Sequence, residues 1–232
     1  DVMSTVEARQ MAEGRPLSFL HVSRPEIDLP QDIDITDSSV YAKARQNLDH
    51  LISERALRRD LQANYYLYRQ IMGSHSQLGL VAVASCAEYD DNTIRKHEFT
   101  RPDKENDRVA HLEALDAQTG PVFLTYLADK ELNDLFDRII ECKPNVDFKA
   151  SDGVQHTSWT VGSNEDAAFI EKKFSGIPNL YIADGHHRSA AASRVNKSRA
   201  GSGNSGLFLT VIFPHDQMQI LAYNRVLKDL NG

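Results

Sequence analysis

A chain of 232 residues with 41% apolar and 25% charged side chains can bury a substantial core. It does not read as membrane-spanning, because its longest apolar runs, 78–84 and 207–214, fall far short of the roughly 20 residues a spanning helix needs. The net charge of -7 argues against a protein that coats nucleic acid, and Cys86 and Cys142 form neither a disulfide framework nor a CxxC pair, so the expected compartment is the reducing cytoplasm.

In chain order, residues 7–13 predict a short helix and 17–22 a strand with His21 near its end, broken at Arg24 and Pro25. The acidic, proline-bearing stretch 25–38 predicts a surface loop, with Thr36 or Asp37 capping a helix over 39–53. Val40, Tyr41, Ala44, Leu48, Leu51 and Ile52 fit one face of that helix. The aromatic run 65–71 and the run 79–86 predict a β-hairpin about Gly73 and Ser74. The tyrosines of its first strand fit either a half-buried core face or a stacking surface for a ligand.

Reactive groups then concentrate over 94–108. If residues 96–100 are extended, Lys96, Glu98 and Thr100 share one side while His97 and Phe99 share the other. Asp103 is expected to cap a helix from Lys104, with Val109, Leu112 and Leu115 as its buried stripe and Lys104, Arg108 and His111 in one row. That row fits a solvated helix face or a ligand-facing one. Glu98, flanked by Lys96 and Arg101, is expected to stay ionised and able to accept a hydrogen bond. Further on, 121–127 predicts a strand, 130–142 an amphipathic helix, 152–159 a turn into a strand that carries Trp159 and a structural His156, and 164–174 a helix. A loop over 201–206 and strands over 207–213 and 218–223 close the chain. These elements predict a mixed α/β (α+β) fold, a mixed β-sheet with flanking helices. The chain starts at Asp1 and stops at Gly232 just after an apolar segment, so it is expected to be one large globular unit, 1–232, cut from a longer protein that continues at the C-terminus.

The stretch that organises the rest is 179–198. Residues 179–183 are an apolar strand, Gly185 allows a tight turn, and 189–195 is alanine-rich helix, so His186, His187 and Arg188 open a helix. N–H groups at a helix start lack partners and the dipole there is positive, which suits an anion; phosphate is the first expectation. The plainer reading is a turn in which Asp184 caps the helix and the histidines face solvent. Against it, a single loop collects Asp184, two histidines and Arg188 directly after a hydrophobic strand, with no structural need for any of them.

Several motifs together closely resemble one bacterial family, the domain of unknown function 1015. They are Lys96-His97-Glu98-Phe99-Thr100, Lys104-Glu105-Asn106-Asp107-Arg108, Asp152-Gly153-Val154 with His156, Ile182-Ala183-Asp184-Gly185-His186-His187-Arg188, and Tyr223-Asn224-Arg225-Val226. Asp1-Val2-Met3-Ser4 and Ser18-Phe19-Leu20-His21-Val22 extend the likeness over nearly the whole chain. Members of the family run longer at the C-terminus and tend to be associated with serine biosynthesis. The element at 179–198 also resembles, more distantly, the phosphate-binding element of ParB and sulfiredoxin-like proteins, a group that includes nucleotide-binding clamps and free-serine kinases. Position 186 is His where a sulfiredoxin-like protein has its cysteine, so the resemblance does not imply a sulfinic-acid reductase.

The leading functional expectation is therefore an enzyme handling a phosphate ester, with serine or phosphoserine as substrate and ATP or ADP as partner, in either the kinase or the phosphatase direction. Gly185, His186, His187 and Arg188 would hold phosphate, helped by Arg108 and Lys104; Glu98, with His97, would orient and deprotonate a hydroxyl; Asp184 would take part and would bind Mg²⁺. A metal-dependent hydrolase built on His186, His187, Asp184 and His97 is the second expectation, weakened because neighbouring helical residues point about 100° apart. A non-catalytic nucleotide-binding or nucleic-acid-binding module of ParB type is the third, disfavoured by the acidic balance and the lack of a helix-turn-helix pattern. The expected partner is a small phosphorylated metabolite or nucleotide, with no membrane and no nucleic acid.

Overall fold

The computed structural model describes residues 3–222 together with Asn224 and Leu227. Its helices are α1 Thr5–Ala12, α2 Leu20–Ser23, α3 Ser38–Ser53, α4 Cys86–Asp90, α5 Pro102–Leu115, α6 Lys130–Ile140, α7 Asn164–Ser175 and α8 His186–Ser198. The strands are β1 Tyr66–Met72, β2 His75–Ser85, β3 Ile94–Arg95, β4 Val122–Tyr126, β5 Val146–Lys149, β6 Gln155–Thr160, β7 Leu180–Asp184 and β8 Leu207–Pro214. They form one mixed sheet in the order β3-β7-β4-β8-β2-β1-β6-β5, parallel at β3/β7 and at β4/β8 and antiparallel elsewhere. The fold is thus the mixed α+β type that the element pattern predicts.

Period-two burial explains how the sheet meets its helices. Val122, Leu124 and Tyr126 of β4 are buried while the residues between them are only partly so. With Leu67, Leu80, Trp159, Ile182, Phe208 and Ile212 they form the main core. Leu132, Leu135, Phe136 and Ile139 of α6, Ile170 of α7 and Ala192 of α8 join that core, so the helical layer covers this face of the sheet. Of the residues of opposite parity, Val83, Tyr181 and Phe148 are exposed, whereas Val211 and Phe213 of β8 are buried on that other face. Helix α6 owes its start to Asp129, whose carboxylate accepts the N–H groups of Glu131 and Leu132. A second, helical cluster of Val22, Ala44, Leu48, Leu51 and Leu115 joins α2, α3 and α5. Among the described residues no helix is long and apolar enough to cross a membrane.

Several expectations change. Residues 17–22 are not a strand: Ser18 Oγ accepts the Leu20 N–H, and the helix that follows sends only Val22 fully into the core, leaving Leu17 exposed. The loop at 25–38 contains a 3-10 turn, Pro25–Asp28, with Glu26 buried and held by Arg24 at 2.7 Å. Asp103 does not cap α5; Pro102 starts that helix, its fixed φ suiting the first position, and Asp103 pairs with Arg101 at 2.7 Å. Ile52 lies on the exposed side of α3. Residues 218–222 form no strand. Asp1, Val2, Tyr223, Arg225 and Val226 of the family-like motifs lie outside the described residues.

Candidate functional site

Strands β3 and β7 are parallel, so their carboxyl ends lie at the same end of the sheet. The loop 96–101 leaves one of them, and the turn Asp184–Gly185 leaves the other. Strand β4 runs antiparallel to β7 and brings Pro121 and Val122 to that same end. Three segments far apart in sequence thereby converge on the first turn of α8.

Gly185 is the N-cap of α8, at φ 97°, a left-handed conformation that favours glycine, and no side chain caps the helix. A Cβ at this position would stand 3.3 Å from the Val122 Cα and 3.4 Å from Arg188 Nε. Glycine is needed both for the turn and for this close approach. Asp184, the cap in the plainer reading, instead pairs with Arg188 at 2.9 Å and remains 71% exposed. Arg188 also donates to the Pro121 carbonyl. Burial, reinforced by the nearby Arg108 guanidinium, lowers the Arg188 pKa from its ordinary value against the opposing pull of Asp184.

The two histidines diverge. His186 is buried; its Nε2 accepts the His97 N–H at 3.5 Å, its Nδ1 lies 3.5 Å from Glu98 Oε2, and the His97 ring packs edge-on against it with centroids 4.4 Å apart. Burial first, then His97, holds its pKa below the usual histidine value, so it is neutral at pH 7. His187 turns to the loop, where its Nε2 accepts the Arg101 N–H at 3.1 Å. Accepting an N–H through Nε2 places the ring proton of the neutral His186 on Nδ1. The pair thus fastens the loop carrying His97 and Glu98 onto the helix start, and its nitrogens do not converge on one point. Among the described residues no three His, Cys, Asp or Glu side chains are grouped to hold one metal ion. The donor set offers Asp184, already engaged by Arg188, which is too little to anchor a resident ion.

Of the residues singled out from the sequence, His97, Glu98, Asp184, Gly185, His186, His187 and Arg188 meet in one place, with Arg108 near enough to influence Arg188. Three expectations about this region fail. Lys104 is exposed on α5 and forms no hydrogen bond or ion pair with the cluster. His111 leaves the expected row for the core, donating Nε2–H to the Val22 carbonyl at 3.0 Å, since it shares the buried face of α5 with Leu115. Nor do Lys96 and Arg101 flank the Glu98 carboxylate: Lys96 lies over the Tyr89 ring at 4.0 Å, and Arg101 turns to Asp103.

Sequence reasoning missed the supports. Glu105 accepts from Thr100 Oγ1 and pairs with Arg194 at 3.2 Å, which ties the loop, α5 and α8 together. It also missed Gly120, which lies against the Arg188 side chain, 3.5 Å from where a Cβ would stand. Cys86 is no nucleophile in this architecture, because burial pushes its thiol up to about 11. A groove of about 740 Å³ among α1, α2 and the 3-10 turn shares no lining residue with the cluster. Three of its charged groups are engaged: His21 Nδ1 lies 2.9 Å from Asp28, and Arg9 donates to the carbonyls of Glu26 and Leu29.

A family profile described as "Protein of unknown function (DUF1015)" matches residues 1–232. The chain belongs to the DUF1015 family. In this DUF1015 protein, the stretches 96–108 and 182–188, apart in sequence, are neighbours in space. No curated protein and no solved structure matches the chain.

Proposed function

We propose that this DUF1015 protein binds a phosphate ester at the start of α8 and transfers its phosphoryl group to or from a small hydroxyl-bearing metabolite. Serine or phosphoserine is the favoured substrate, with magnesium-bound ATP or ADP as the nucleotide. The observation that carries this reading is a helix start without a side-chain cap, with the Arg188 guanidinium held at that turn by Asp184 and the Pro121 carbonyl and with Arg108 nearby. An anion there would meet both guanidinium groups, and the N–H groups of the first turn would add donors.

The chemistry required is charge neutralisation and alignment, with a group to accept the hydroxyl proton. Arg188 and Arg108 provide the first. Glu98, more than half exposed and facing the cluster, provides the last, while the buried neutral His186 orients it through Nδ1–H. Asp184 would hold Mg²⁺ brought in with the nucleotide, and the ion would supply neutralisation of phosphate charge. The likeness of this turn to the ParB and sulfiredoxin-like element points the same way.

The test is thermal-shift and calorimetric titration of the protein with ATP, ADP and phosphoserine, each with and without Mg²⁺. Arg188→Ala should weaken binding about 10- to 100-fold, the equivalent of about 1.5–3 kcal/mol for a charge-assisted contact. Failure of the unaltered protein to respond to every one of these ligands would refute the proposal.

A further inference from the structure

The opposite end of α8, roughly 20 Å from Gly185 by the 1.5 Å rise of a 13-residue helix, carries a separate groove of about 570 Å³. Its lining is mainly polar: Arg59, from the segment after α3, Asp116, Arg199 and the loop 202–205, with apolar contact offered by the partly exposed Leu112 and Ala117 and, beneath them, the buried Ala192 and Val195 of α8. The volume falls within the range of small-molecule sites, and the lining is more polar than such sites usually are, which suits a charged ligand.

The polar groups at this groove are mainly donors. Carbonyl oxygens at the end of α8, which would favour a cation, are consumed: Val195, Asn196, Lys197 and Arg199 accept from Arg199, Gly201, Ala200 and Ser202. The Leu115 carbonyl at the end of α5 accepts from Arg45. The acidic side chain in the lining, Asp116, is paired with Arg199, and this partner together with Arg45 keeps its pKa below the usual carboxylate value. Arg59 forms no hydrogen bond or ion pair with the described residues, so the lining carries a net charge of +1, two arginines less one aspartate.

We infer that this groove binds a small organic anion, a phosphate or carboxylate head group on a short apolar body, with Arg59 as its principal charge contact. The site is distinct from the start of α8 and does not depend on the function proposed above. A short apolar body would rest on Leu112 and Ala117 while the head group lies between Arg59 and the loop.

The experiment follows amide and methyl NMR signals of the protein during titration with phenyl phosphate, phenylacetate and the neutral benzyl alcohol. Either anion should shift the Ala192 and Val195 methyls and the Gly203 N–H saturably, with the stronger of the two naming the head group; benzyl alcohol at the same concentrations should not. Arg59→Gln, a change at an exposed side chain that leaves the fold intact, should weaken the response about fivefold or more, and Arg188→Ala should leave it unchanged. The inference is overturned if neither anion saturates these signals, if Arg59→Gln responds like the unaltered protein, if benzyl alcohol matches the anions, or if the shifts are confined to 184–188.

Discussion

Replacing Gly185 with alanine tests the geometry of the candidate site without touching any of its charges. An L-residue in the left-handed region costs about 1–2 kcal/mol, and the backbone here sits at φ 97°. The added Cβ also meets the Val122 Cα at 3.3 Å, a backbone atom that cannot rotate away, and Arg188 Nε at 3.4 Å, so crowding adds about 1 kcal/mol or more. Gly153 provides the control. It has a similar φ of 88° with nothing within 4 Å of its would-be Cβ, so Gly153→Ala carries the conformational cost alone. With a urea m-value of about 3 kcal/mol per M, Gly185→Ala should lower the unfolding midpoint by about 1 M and Gly153→Ala by about half as much. The same Gly185→Ala protein should lose affinity for phosphate esters, because the intruding methyl displaces the Arg188 side chain. Equal midpoint shifts for the two variants would refute the close approach of the helix start to β4, and with it the placement of Arg188.

Other outcomes follow from the same geometry. Under the proposed function, Glu98→Gln should keep nucleotide binding and lose about 10²–10⁴-fold in turnover, read by phosphorus NMR of serine with ATP and of phosphoserine with water; undiminished turnover would remove Glu98 from the mechanism. Burial lowers the pKa of His111 and of His186 below the unfolded value of about 6.5, so the folded chain resists protons that the unfolded chain accepts. Their contribution is complete above pH 6.5 and is lost as pH falls from there through the lowered native values. Urea unfolding between pH 7.5 and 5.5 should show this decline, and a decline no shallower in His111→Gln would refute the assignment for that residue.

The sequence made legible those features that depend on neighbours along the chain. The pattern of Leu132, Leu135, Phe136 and Ile139 behind a capping aspartate announces α6, and Gly73 between two β-rich runs announces the hairpin with Met72 opposite His75. The strand, glycine and helix about Gly185 were equally plain. What joins His97 and Glu98 to that helix was not legible, because it depends on a two-residue strand, Ile94 beside Leu180, across a separation no local pattern encodes. Helical spacing grouped Lys104, Arg108 and His111, but spacing says nothing about which flank of the stripe meets α2, and His111 lies on the flank that does. Residues 17–22 misled because a run this short satisfies helix and strand templates alike.

The position of β8 has a consequence for how the protein comes to exist as a folded chain. It lies between β4 and β2, and it alone connects the group β3, β7, β4 with the group β2, β1, β6, β5. Until residues 207–214 are available, each group presents an unpaired strand, and the apolar face they will share stays divided. A ribosome that has made the first two hundred residues therefore holds two sticky half-sheets, and a release just short of β8 should yield aggregate, whereas release just past it allows the two halves to be sewn together in a single late step.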